Sequence, residues 1–234
     1  MRHESPKEND RFPSAFPGIH GGFMAKHLVL VAGNIGVGKT SLTKHIGQRL
    51  GWRSAYESVS DNPYLANFYA DMQRWAFHLQ VFFLGHRAEQ HLELARSPQS
   101  AIADRSIYED AYIFARALHR MGHLNDQDYH TYRRVFRLVV DNLPPPDLLI
   151  YLKAPVPVLM ERIRRRGREM EKTITADYLA MLDSFYEDWL GAFDLCPVLT
   201  IRSDNLNFVS REEDLNTVIG YIENRLGGRD ELVL

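Results

Sequence analysis

The 234-residue chain holds one cysteine, Cys196. A single thiol excludes an intramolecular disulfide and every metal site built from several cysteines. It suits a reducing compartment, and the cytoplasm is the expected location. No apolar run approaches the length that crosses a bilayer, so no membrane partner is expected. Neither sign of charge is in excess: 28 Lys and Arg against 30 Asp and Glu leave a formal charge of −2. That balance gives no electrostatic case for nucleic acid as a partner. Residues 1–22 lack an apolar signal core and are rich in Pro, Gly, Ser, Asn and charge. They predict a disordered extension over residues 1–24 and one folded domain over residues 25–234. Apolar residues make up 45% of the chain, enough for the packed core of a single α/β domain.

What is present, first, is a phosphate-binding loop. Residues Gly33 to Thr40 read GNIGVGKT, which fits the pattern G-x-x-x-x-G-K-[ST]. The apolar run His27–Ala32 before it reads as a buried strand, and Ser41–Leu50 after it reads as a helix with Leu42, Ile46, Arg49 and Leu50 on one side. A plain glycine-rich turn is the alternative, but the strand–loop–helix context is the one the motif needs. Glycines let several N–H groups converge on one phosphate, and the helix N-terminus adds its partial positive charge. Gly33, Asn34, Ile35, Gly36, Val37, Gly38, Lys39, Thr40 and Ser41 are therefore the candidate nucleotide-binding residues. Lys39 is expected to reach the β/γ-phosphates and the Thr40 hydroxyl to ligate Mg²⁺. The loop calls for ATP and Mg²⁺ and leaves the acceptor open.

Strand patterns recur at residues 54–56, 100–103, 147–152 and 198–201, separated by helical patterns that include residues 108–121 and 173–193. Such alternation predicts a parallel sheet covered on both faces, with ligands at the carboxyl ends of the strands. Three candidate sites obey that placement: the loop after the first strand, Glu57 after the second, and Asp104 with Arg105 after the third. Asp104 can hold Mg²⁺ with Thr40, and Arg105 can orient an acceptor hydroxyl or a transferring phosphoryl group. The plain reading of Asp104-Arg105-Ser106 is a helix cap with a solvated ion pair. Glu57 can accept a hydroxyl proton, or can form a structural salt bridge.

The stretch from Arg74 to Leu84 is apolar on nearly every face, which predicts a buried helix. Gln80, Phe83 and Arg87 share one side of it by their i, i+3, i+7 spacing. A glutamine presents an acceptor and a donor side by side, matching a nucleobase edge, and Phe83 supplies a flat wall. The plain alternative is that Gln80 bonds nearby backbone and Arg87 reaches solvent. Tyr69 lies about three turns before Gln80 unless the helix breaks near Asp71. Asp110 and Phe114 are spaced i, i+4, and Asp110 suits Arg87 as an ion-pair partner. Residues 161–168 carry five arginines around Gly167. They read as a solvated face or, beside a phosphate-binding loop, as a lid that closes over a triphosphate.

In order, these residues resemble the deoxynucleoside kinase family, and within it the bacterial enzymes for purine deoxynucleosides. The resemblance covers the chain from about His27 onward. It rests on Gly33–Thr40, Glu57 with Asp61 to Tyr64, Tyr69, Arg74-Trp75 with Gln80, Asp104-Arg105-Ser106, and Arg166-Gly167-Arg168 with Glu171. It implies a P-loop kinase fold with a five-stranded parallel sheet, a homodimer, and ATP-dependent phosphorylation of a 5′-hydroxyl in deoxynucleotide salvage. By resemblance Glu57 is the general base and Arg105 positions the hydroxyl. Tyr69 and Glu171 bind the 3′-hydroxyl, Gln80 pairs with the base, and Phe114 stacks on it. Arg162, Arg166 and Arg168 belong to the lid. The Arg87–Asp110 pair resembles members that take deoxycytidine or purine deoxynucleosides, and deoxyadenosine or deoxyguanosine is the expected substrate. Ser58 departs from the proline that many members carry after the catalytic glutamate, and Phe83 is bulkier than the residue of some members. A thymidylate-type kinase would also carry an Asp-Arg pair and a lid, but a monophosphate acceptor has no use for Glu57 at the point of attack. A nucleotide-binding regulatory subunit is the non-catalytic alternative.

Overall fold

Strands that are apolar at every position need helices on both faces of their sheet. The computed structural model of the protein describes residues 26–56 and 62–227. Glu57 and the N-terminal extension expected from the sequence lie outside the described residues. In chain order the elements begin β1 (Leu28–Gly33), α1 (Lys39–Leu50), β2 (Arg53–Ala55), α2 (Leu65–Ala70), α3 (Met72–Ala95) and β3 (Ala101–Asp104). Next come α4 (Ile107–Glu109), a π-helical segment (Asp110–Ala115), α5 (Arg116–Arg120), α6 (Asp126–Val140) and β4 (Leu148–Lys153). The chain closes with α7 (Val156–Arg166), a 3₁₀ turn (Glu169–Glu171), α8 (Ala176–Gly191), β5 (Val198–Arg202) and α9 (Glu212–Leu226).

The strands form one parallel sheet in the order β2-β3-β1-β4-β5. Side-chain alternation divides the interior in two. Leu28, Leu30, Leu149 and Tyr151 meet Leu79 and Leu84 of α3, Phe136 of α6 and Tyr186 of α8. Val29, Val31, Leu148 and Ile150 meet Ile46 of α1, Leu159 of α7 and Val218 of α9. β1 lies between β3 on one side and β4 on the other, so the phosphate-binding loop emerges at the centre of the sheet. Register sets Val31 of β1 beside Asp104 at the end of β3.

Local signals fix the helix ends. Asp71, with φ −151° and ψ 89°, separates α2 from α3, and its carboxylate accepts from Arg74 N–H at 3.1 Å. Thr175 caps α8 by accepting from Tyr178 N–H, so this helix starts later than the pattern over residues 173–193 suggests. Two features differ from expectation. The helical pattern over residues 108–121 contains the π-helical turn Asp110–Ala115, a device that periodicity alone does not reveal. The apolar helix α3 is not enclosed all round: Val81 is 41% exposed. Its outer aromatic groups pack on one another, Trp75 tilted against His78 and Phe82 stacked on His86, with Tyr64 against all but the last.

Candidate active site

A cavity of about 1170 Å³ opens where β1 and β3 end. One wall is the loop and the start of α1, from Ile35 to Ser41. Gly33 (φ 144°) stands where a Cβ would lie 2.4 Å from the Leu152 carbonyl oxygen, so no side chain fits. Gly38 (φ 108°) precedes α1 without a side-chain cap, which leaves the N–H groups of the first helical turn to the cavity. Lys39 is buried, and its Nζ donates to the carbonyls of Gly33 at 2.5 Å and Asn34 at 3.1 Å. Gly33 and Asn34 do not line the cavity. Asn34 braces the loop from below, donating to the Leu179 carbonyl at 2.9 Å and to Asp183 at 2.6 Å.

The Thr40 hydroxyl donates to Asp104 Oδ2. The other oxygen, Oδ1, is buried and has no hydrogen-bond partner among the described residues. An orphaned carboxylate oxygen beside a threonine hydroxyl is a fitting seat for a hard cation. Among the described residues no group of three His, Cys, Asp or Glu could hold a metal ion. Arg105 follows in the left-handed region, at φ 74°. Such backbone in a non-glycine residue costs about 1–3 kcal/mol and gathers at functional sites. The solvated-cap reading is half right: Ser106 does cap α4, accepting from Glu109 N–H at 3.1 Å. Asp104, however, is buried, and the Arg105 guanidinium lies 4.4 Å from the Phe114 ring centroid.

The opposite wall comes from four separate stretches. Tyr69 of α2, Gln80 and Phe83 of α3, Asp110 and Phe114 of the π-helical turn, and Glu171 of the 3₁₀ turn all line the cavity. Gln80 is 3% exposed, and its Oε1 has no hydrogen-bond partner among the described residues. The backbone-bonded alternative therefore fails for that oxygen. Arg87 does not reach solvent either: it is buried behind the wall and donates from Nε to Asp110 at 3.1 Å and from Nη1 to Gln90 at 3.2 Å.

The arginines take unequal places. Arg162 is tied down, donating to the Val37 carbonyl at 3.1 Å, to Ser203 Oγ at 3.0 Å and to the Ser203 carbonyl at 2.7 Å. Burial, and then Arg165 nearby, hold its pKa below the ordinary arginine value. Arg166 grips Glu171 with two hydrogen bonds of 3.0 and 2.6 Å, and Arg168 approaches the same carboxylate at 3.6 Å. A forked grip of this kind is the strong form of the pair.

Sequence reasoning missed three contributors. Asp204 to Val209 form part of the rim, with Phe208 packed over Gly38. Tyr178 lines the cavity floor, its pKa pushed up to about 12 by burial. Glu109, fully buried, accepts from Gly33 N–H at 3.0 Å. An ionisable residue adjacent to the expected site residue Asp110 was the one available signal for the last.

The family model described as deoxynucleoside kinase matches residues 29–226. A deoxyadenosine/deoxycytidine kinase of Bacillus subtilis is 38% identical over 197 residues, covering 83% of this chain and 91% of the relative. A deoxyguanosine kinase of the same organism is 34% identical over 203 residues, covering 83% and 95%. Among solved structures, a deoxyadenosine kinase from M. mycoides with the products dCMP and a flexible dCDP bound superposes with a TM-score of 0.73. It is 27% identical, and the match covers 84% of this chain and 99% of that one.

Proposed function

The chain belongs to the deoxynucleoside kinase family, and on that premise we propose that it transfers the γ-phosphoryl group of ATP to the 5′-hydroxyl of deoxyadenosine or deoxyguanosine, with deoxycytidine as the next acceptor. The product is the monophosphate, made in deoxynucleotide salvage. The observation that carries the base reading is Gln80, which lines the cavity and whose buried Oε1 has no hydrogen-bond partner among the described residues. A buried amide oxygen without a partner is costly in the free protein, and a purine or cytosine amino group would satisfy it. The names of the relatives, which cover adenine, guanine and cytosine deoxynucleosides, support the same reading.

In this reading Lys39 leaves the Gly33 and Asn34 carbonyls for the β/γ-phosphates. Thr40 and Asp104 would hold Mg²⁺, which when bound would neutralise charge on the phosphates. Tyr69 and Glu171 bind the 3′-hydroxyl, and Phe114 stacks on the base. Asp110, with Arg87 behind it, fixes the base edge. Arg105 holds the 5′-oxygen in line with the γ-phosphorus. Glu57 takes the hydroxyl proton as the new O–P bond forms and the bond to the β-phosphate oxygen breaks. Arg162, Arg166 and Arg168 meet the charge that develops on the transferring group, Arg166 and Arg168 after letting go part of their hold on Glu171. A homodimer and a cytoplasmic location complete the proposal.

A panel of deoxynucleosides with ATP, followed by monophosphate formation, tests the substrate class. Deoxyadenosine and deoxyguanosine are expected to react and thymidine to fail. Phosphorylation of deoxyadenosine monophosphate in preference to deoxyadenosine would overturn the nucleoside reading in favour of a monophosphate kinase. Glu57→Gln is expected to remove turnover while deoxyadenosine binding, read by calorimetry, stays within about threefold. Wild-type turnover in that variant removes Glu57 from the role of base.

A further inference from the structure

Among the described residues, Glu109 is the one fully buried carboxylate to which the reading above gives no role. Its Oε1 accepts from Gly33 N–H at 3.0 Å and from the Tyr186 hydroxyl. Its Oε2 has no hydrogen-bond partner among the described residues and lies 4.0 Å from Arg105 Nη1. Burying a carboxylate is expensive, and for structure alone a well-packed apolar side chain would serve as well or better. The side chain thus lies between two elements of the site, with the first glycine of the donor loop on one oxygen and the acceptor arginine on the other. We infer that Glu109 is a positioning residue that holds Arg105 in register with the phosphate-binding loop, so that the acceptor hydroxyl and the γ-phosphoryl group meet in line.

Proton counting shows how the two ends communicate. The Tyr186 hydroxyl has one proton and two oxygens in reach: Glu109 Oε1, and the Gly33 carbonyl at 2.9 Å. Lys39 already donates to that carbonyl at 2.5 Å, and the contact of the hydroxyl with the carboxylate is the shorter of its two, which places the tyrosine proton on the side of Glu109. When Lys39 turns to a triphosphate, the carbonyl loses this donor and Tyr186 is in place to supply another. Glu109 then keeps the Gly33 N–H, and its charge is drawn further toward Arg105. Arrival of the phosphate donor is thereby transmitted to the group that orients the acceptor. Burial holds the Tyr186 hydroxyl well above its ordinary pKa, so it stays a donor throughout.

The inference rests on the kinase reading of the cavity, and one set of measurements separates their failures. Glu109→Gln keeps an oxygen for Gly33 N–H and loses the charge that faces Arg105. Its kcat is expected to fall about ten- to a hundredfold, the scale of a small misplacement of reacting groups. KM for deoxyadenosine should stay within about threefold, and the thermal midpoint within about 3 °C. In an Arg105→Gln background the same change should cost less than about threefold more, because both act through one group. Wild-type kcat in Glu109→Gln, or losses that simply multiply in the double variant, overturns the inference. Should Glu109→Gln not fold, Tyr186→Phe keeps the carboxylate: it is expected to raise KM for ATP severalfold and leave KM for deoxyadenosine unchanged, and an unaltered KM for ATP overturns the relay. A wild-type enzyme inactive on every deoxynucleoside defeats the kinase reading and takes this inference with it.

Discussion

The two walls of the cavity are built on opposite plans. The donor wall is one continuous stretch, and the side chains of Lys39 and Asn34 in it are bonded inside the chain. Lys39 lies on two carbonyls of its own loop, and Asn34 is held by α8. The acceptor wall is collected from α2, α3, the π-helical turn and the 3₁₀ turn, and it keeps a buried amide oxygen, Gln80 Oε1, without a hydrogen-bond partner among the described residues. The first wall is satisfied in advance and must exchange bonds to work. The second holds an unmet demand that a substrate can fill. A phosphate is the same in every nucleotide, so its wall can be a fixed motif, whereas base choice needs groups whose bonds are left for one ligand.

The sharpest way to break this comparison is through Asp110. Asp110→Ala removes the carboxylate from a buried Arg87, and breaking such a pair costs about 3–5 kcal/mol. At about 2–4 °C per kcal/mol for a chain of this size, the thermal midpoint should drop by roughly 6–20 °C. Affinity for ATP in the folded variant should change by less than about twofold, because distant sites without shared partners act independently. Thermal unfolding and calorimetry check both. A fall in ATP affinity comparable to the fall in stability would mean that the walls are one unit.

From the other side, Lys39→Ala tests the donor wall alone. Loss of one charged donor to a transferring group costs about a hundred- to a thousandfold in kcat. Binding of deoxyadenosine, measured in the absence of ATP, is expected to stay within about twofold. Weakened nucleoside binding would show that the donor wall also shapes the acceptor wall.

The same contrast explains what could be read before the fold was known. The loop was legible because its chemistry is contiguous: eight residues carry glycine, lysine and threonine at fixed offsets. The sheet was legible because β1 and β4 are apolar at nearly every position. Gln80, Arg87 and Asp110 were found as a set, but which of them faced the cavity was not, since spacing gives a side of a helix and not its neighbour. The π-helical turn carries no distinct periodicity, so the wider turn that presents Asp110 and Phe114 stayed hidden inside an ordinary helical pattern. Glu109 was missed for a related reason: its partners Gly33 and Tyr186 lie 76 and 77 residues away, and nothing local in the sequence marks a carboxylate that will be buried against them.

The smallest expected effect is also the most discriminating, because it carries two signs. Gln80→Leu replaces a buried amide with an apolar side chain of similar size. If Gln80 served the fold, removing its bonds would lower stability. Its Oε1, however, has no bond to lose, and an unsatisfied buried acceptor costs about 1–3 kcal/mol. The variant should therefore unfold at the same temperature as the wild type or higher. Its affinity for deoxyadenosine should fall by a similar free energy, about five- to 150-fold, because the base edge then meets hydrocarbon. A more stable protein that binds its substrate less well is the mark of a residue kept for its ligand. A variant that loses stability and keeps its affinity would move Gln80 from the acceptor site to the core and would leave the base to be read by Asp110 with Arg87 behind it.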